Sequence, residues 1–142
     1  MKQEDKDILF KDVCARVPYN LCMEHNNTTY QLVNCSTEWV NLSRKNSPYS
    51  FALDWTSVKP YLFPMSSMTE AQKKEINKRY INSIDDYSIS IRYHSDGCWD
   101  DDTEVGFSDY LWIIDWFNKN HFDYQGLIKK GLAIDATNLN IY

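Results

Sequence analysis

FSDYLWIIDWFNKNHFDYQGLIKKGLA, residues 107–133, is the stretch from which the fold is read. Tyr110, Ile113, Ile114 and Phe117 recur on one side at helical spacing. Leu111, Trp112 and Trp116 widen the apolar arc until only a strip around Asp115 and Lys119 stays polar. A helix this apolar has to be covered on most sides, so it is expected to be the core helix. Ser108 is a suitable N-cap, since its hydroxyl can accept from a first-turn amide. Phe107 and Trp112 stand in the positions of a hydrophobic staple. Asp115 and Lys119 form an i,i+4 acid–base pair in the favourable order. Farther on, residues 127–130 are expected to make one helical turn closed by Gly131 at C′, with Lys129 and Lys130 at its negative end.

On the N-terminal side, residues 7–17 predict a short helix with Leu9, Phe10, Val13 and Val17 on its apolar face, stopped by Pro18. Residues 21–25 and 29–33 read as two strands. Asn26 and Asn27 between them tolerate the positive φ of a tight hairpin. Residues 39–42 and 50–55 read as further strands, joined by the polar turn SRKNSP. Close-spaced short strands suggest a small, curved, SH3-like antiparallel unit. SVKPYLFP, residues 57–64, with two prolines, reads as a packed connector.

SSMTEAQKKEINKRYINSI then predicts a second helix, with either Ser67 and Glu70 or Thr69 and Gln72 as its capping box. Ile76, Tyr80 and Ile84 face inward; Lys73, Lys74, Lys78 and Arg79 lie mainly outside. Residues 87–93 alternate Tyr87, Ile89, Ile91 and Tyr93 with polar side chains, the pattern of a half-buried strand. An acidic loop, SDGCWDDDTE, leads into the core helix.

Composition bounds the function classes. The 142 residues suit one domain. A formal net charge of −5 argues against a general nucleic-acid binder, which needs a basic face for phosphates. Cys14, Cys22, Cys35 and Cys98 form no CxxC pair and show no zinc-ligand spacing, so reduced, partly buried thiols are expected. MKQEDKDILF at the N-terminus is charged and lacks an apolar signal core, and no run approaches membrane-spanning length. A cytoplasmic location is expected, and the sequons at Asn26, Asn27, Asn34 and Asn41 then carry no glycan.

VKPYLFPMSSMTEAQKKEI and DWFNKNHFDYQGLIKKGLAID resemble a family of short uncharacterised proteins from gut bacteria and their prophages or mobile elements. The resemblance runs over most of the chain from Ala15 onward. It implies a bacterial or mobile-element context and supplies no catalytic residues. The C-terminal ATNLNIY departs from the family's tail.

Candidate sites each have a plainer alternative. Asp96, Asp100, Asp101, Asp102 and Glu104 offer clustered oxygens for a hard cation, but without the alternating ligands of an EF-hand loop. A solvated loop that favours the positive end of the core helix is the better reading, so no metal is expected. His94, Asp96 and Cys98 are close in sequence, yet no helix N-terminus is evident to activate the thiol. His121, Asp123 and Tyr124 follow the core helix, where a histidine gains from the helix dipole and the aspartate can accept its hydrogen bond. They read either as an acid–base site or as a locked corner holding the C-terminal segment, and the corner is favoured because no second acid–base partner is visible. The basic helix face of Lys73, Lys74, Lys78 and Arg79 reads as solvated, diluted by Glu70 and Glu75. Trp39, Trp55 and Trp99 are candidates for a contact patch, with Trp99 among Asp100, Asp101 and Asp102 the expected exposed anchor. No nucleotide-binding, zinc-protease or nucleophile-elbow motif occurs, and no cofactor is implied.

These readings converge on one α+β domain: a small antiparallel SH3-like β-unit packed with two longer helices and a C-terminal turn. The expected function is a non-enzymatic accessory protein acting by protein–protein contact, without membrane association. A nucleic-acid-associated SH3-like module is the first alternative. A small hydrolase or transferase centred on His121 is the second.

Overall fold

The computed structural model describes the backbone of residues 1–83 and 107–142, and the side chains of residues 1–76 and 111–142. The predicted strand at 87–93 and the acidic loop lie outside the described residues. Among them the architecture is α+β, with three α-helices and a six-stranded, mostly antiparallel sheet. Helix α1 is Gln3–Arg16, α2 is Glu70–Ser83 and α3 is Phe107–Lys119. The first is as long as the described part of the second.

The sheet comprises β1 (Cys22–His25), β2 (Thr28–Cys35), β3 (Trp39–Ser43), β4 (Ser50–Asp54), β5 (Lys59–Leu62) and β6 (Ile134–Asp135), in the order β4-β3-β2-β1-β5-β6. The first four form an antiparallel meander, because each turn is short and its residues suit it. Asn26 and Asn27 take φ of 50° and 58°, as the two-residue hairpin between His25 and Thr28 requires. A register shift between Leu32 and Asn34 marks a bulge in β2.

Several features depart from the sequence reading. The 57–64 connector contains β5, which pairs antiparallel with β1 and parallel with β6. Pro60 stands at the second position of the strand, before the ladder to β6 begins at Tyr61. The larger core is also not centred on α3. It lies between α1, through Leu9 and Val13, and the sheet, through Met23, Leu32, Val40, Leu42 and Leu62. Trp55 is fully buried there, its indole N–H donating to Ser36 O at 3.0 Å, so it is no part of a contact patch.

Helix α3 heads a second cluster in which Ile113, Trp116, Phe117 and Phe122 join Ile76 of α2 and Met65 from the turn before it. Leu111 is exposed, which narrows the apolar arc expected of this helix. Asp115 accepts a hydrogen bond from the Tyr19 hydroxyl instead of pairing with Lys119. Helix α3 already includes Phe107, so Ser108 falls one residue inside the helix rather than at its cap. For α2 the Thr69–Gln72 box is the one used. Thr69 N–H donates to Gln72 Oε1 at 2.9 Å and Gln72 N–H returns to Thr69 Oγ1 at 3.3 Å. Ser67 instead donates to Pro64 O.

Candidate functional site

The site is built where α3 ends. His121 N–H bonds to Asn118 O at 3.2 Å and Phe122 N–H to Phe117 O at 3.0 Å, the paired bonds of a Schellman motif. Its C′ position needs a left-handed residue, and His121 takes it at φ 58°. A side chain there costs about 1 kcal/mol that glycine would not, so the surrounding structure must hold it.

Three sets of contacts do so. Phe63 N–H donates to His121 O at 2.9 Å and Asp123 N–H to Phe63 O at 2.8 Å, strapping the corner to the end of β5. Arg16, wholly buried at the end of α1, donates from Nη2 to Phe122 O at 2.8 Å and from Nη1 to Phe117 O at 3.4 Å. Its other donors grip Asp12 in a fork, Nε to Oδ2 at 2.8 Å and Nη2 to Oδ1 at 2.9 Å. The guanidinium also lies over the Tyr124 ring, 5.4 Å from its centroid. A cation placed at the carbonyl end of α3 complements the helix dipole.

Asp123 completes the corner. Its Oδ1 accepts from Leu127 N–H at 2.8 Å and its Oδ2 from Ile128 N–H at 2.9 Å, capping the turn that Gly131 closes at φ 72°. That turn is the one expected, with Leu132 N–H bonded to Leu127 O and Gly131 N–H to Ile128 O. Burial pushes the Asp123 carboxyl above its ordinary range despite the two amides. Both carboxylate oxygens are thus committed to backbone, and the expected hydrogen bond from His121 to Asp123 is not made. Tyr124 donates to Asn118 Oδ1 at 3.1 Å. The trio sits as a locked corner.

His121 itself is 7% exposed and stacks on Tyr142, ring centroids 4.1 Å apart and planes 14° from parallel. Burial and the nearby Arg16 charge lower its pKa to about 4, so the ring is neutral at neutral pH. Its Nδ1 is the one buried side-chain nitrogen or oxygen without a partner among the described residues. Tyr142 is fixed from behind: its hydroxyl donates to Tyr61 O at 2.6 Å and accepts from Cys22 N–H at 3.3 Å. Together with Phe63, Thr69, Gln72 and Lys119, these two rings line a cleft of about 470 Å³. A neutral imidazole offers one N–H and one lone pair, and Lys119 adds a cation. No carboxylate or thiol is among the described residues lining the cleft.

The second region of interest is the free edge of the sheet. Among the described residues strand β4 pairs with β3 alone, and Tyr49 just before it is 82% exposed. Phe51, Trp39 and Val33 are exposed alongside.

Trp99, Asp100, Asp101 and Asp102, like His94, Asp96, Cys98 and Glu104, lie outside the described residues. So do the side chains of Lys78 and Arg79. Lys73 is exposed and pairs with Glu70 at 2.7 Å, and Lys74 is exposed beside it. Among the described residues no group of three or more histidines, cysteines and acids could hold a metal ion. None of their helices is long and apolar enough to cross a membrane. Sequence reasoning passed over Arg16 and Asp12. Their i,i+4 spacing was visible, but nothing in α1 marks them as buried. Set against protein-family models, curated proteins and solved structures, the chain matches none.

Proposed function

We propose that this chain is a non-enzymatic contact protein of a bacterial genome or mobile element, pairing an extended segment of a protein partner with the free edge of β4. The carrying observation is that edge, which among the described residues has one neighbour strand, with exposed Tyr49, Phe51 and Trp39 around it. An unpaired strand edge presents a row of backbone donors and acceptors, and alternate side chains on it add selectivity. Exposed aromatics beside it are the residue types that dominate binding energy. The bulge in β2 bends the meander and supports reading the β-unit as SH3-like. Affinity capture from the native host, with the wild-type chain and with Tyr49→Ser/Phe51→Thr, tests the proposal. The double variant should lose at least tenfold in capture while keeping its fold by circular dichroism. Equal capture by both would refute the edge as the contact surface.

The His121 cleft supports a second reading, a pocket for a small polar ligand. The unpartnered Nδ1 of a buried ring favours it, since buried polar atoms ordinarily have partners. A thermal-shift screen of small carboxylates and phosphates tests it. Stabilisation that disappears in Lys119→Ala would move the function from the sheet edge to the cleft.

A further inference from the structure

Cys14, in the last turns of α1, and Cys35, at the end of β2, bring their sulfurs to 2.9 Å. Non-bonded carbon atoms keep about 3.5–4.0 Å, and sulfur is larger. The two sulfurs are therefore closer than an ordinary non-bonded contact and within a small shift of an S–S bond, which is about 2.05 Å long. Both are half-buried, so small reagents reach them, and both belong to elements fixed by the larger core. From the sequence these cysteines had no pairing pattern; they stand 21 positions apart, across helix, turn and hairpin.

We propose that Cys14 and Cys35 are a modification site, a dithiol that closes to an intramolecular disulfide by exchange with a small-molecule disulfide and reopens with thiols. The balance is two protein thiols plus one oxidised glutathione giving one protein disulfide and two reduced glutathiones. Cys14 first gives up its proton to solvent. Its thiolate then attacks one glutathione sulfur, forms a mixed disulfide and expels a glutathione thiolate, which is protonated. Cys35 next gives up its proton, and its thiolate attacks the Cys14 sulfur and expels the second glutathione. The protein sulfurs are oxidised by two electrons and the glutathione disulfide is reduced by two.

The order follows from the surroundings. Burial pushes the Cys35 thiol up to about 12, and the hydrogen bond and charge of Cys14 add to the rise. A thiol held neutral is a poor first nucleophile. Once Cys14 is capped, two of the three causes holding Cys35 protonated are removed, and the resolving step becomes accessible. Closure ties α1 to the sheet across the larger core. The protein therefore has a looser reduced and a tighter oxidised form of the same fold.

The test uses the full chain, reduced and desalted, then incubated with oxidised glutathione and alkylated. Digestion combines trypsin with a glutamate-specific protease, because Glu24 lies between Cys22 and Cys35. The expected result is a Cys14–Cys35 linked peptide, Cys22 recovered alkylated, and a Tm higher by roughly 5–10 °C that dithiothreitol reverses. Cys35→Ser should stop at the glutathione adduct on Cys14, with no gain in Tm. If Cys14 and Cys35 are both recovered alkylated from the folded chain, while the same treatment oxidises the denatured chain, the proposal is wrong. Links only to Cys22 or Cys98, or only between chains, would overturn it equally.

Discussion

The meander of β1 to β4 and the corner after α3 are held in opposite ways. In the meander every ladder joins strands adjacent in sequence, and the hairpin turn is made by asparagines that accept positive φ cheaply. In the corner a histidine is held at positive φ by partners far away in the chain: Arg16 reaches across 106 residues to Phe122, and Tyr142 across 81 to Tyr61. Locally secured structure can afford an exposed edge. The corner is satisfied from outside, so it must be buried and fully wired, and the single polar atom left over is conspicuous. If this contrast is right, damage to the corner should be costly and damage to the meander's rim cheap.

The largest effect is expected from Arg16→Met. It leaves the buried Asp12 carboxylate unpaired and removes one of the two donors at each of Phe117 O and Phe122 O, a loss of about 3–5 kcal/mol. Urea unfolding measures it, and Asp12→Leu combined with Arg16→Met should restore much of the stability. A loss near zero for the single variant would erase the contrast.

Acid should act on the same corner through His121. Its folded pKa is about 4 against an ordinary 6.5, so between those values the unfolded chain binds more protons than the folded one. Stability therefore falls as pH drops from 6.5 towards 4 and stops falling for this group below it, by up to about 3 kcal/mol. Asp123, whose pKa burial raises, runs the other way and shallows the slope. The difference between the wild type and His121→Asn isolates the histidine, since asparagine also tolerates the left-handed backbone. Parallel pH profiles for the two proteins would show that His121 is not held neutral.

Asp123→Asn keeps the shape but removes one of the two carboxylate acceptors, and should cost about 1–2 kcal/mol by thermal melting. Tyr49→Ser, at the rim of the meander, should change stability by less than about 0.5 kcal/mol. A Tyr49 variant that melts far below the wild type would mean the edge is a structural element and not a free surface.

The sequence by itself determined whatever depends on residues within a few positions of one another. Period-two and period-3.6 patterns gave α1, β1 to β4, α2 and α3 to within a few residues. Asn26–Asn27, Thr69–Gln72 and Gly131 announced a hairpin, a capping box and a helical stop, because each satisfies backbone groups close at hand. His121, Asp123 and Tyr124 were legible as a corner, though not the partners that lock it. Tertiary structure alone decided the rest. It made a strand of a proline-bearing connector by supplying β1 and β6 on its two sides. It buried the Asp12–Arg16 pair, which in an isolated α1 would be one more solvated i,i+4 contact. It also set Cys14 against Cys35 and left the Nδ1 of His121 without a partner. The physical reason is common to all four: burial and pairing between distant segments depend on where the other segment lies, and no local pattern in the chain records that.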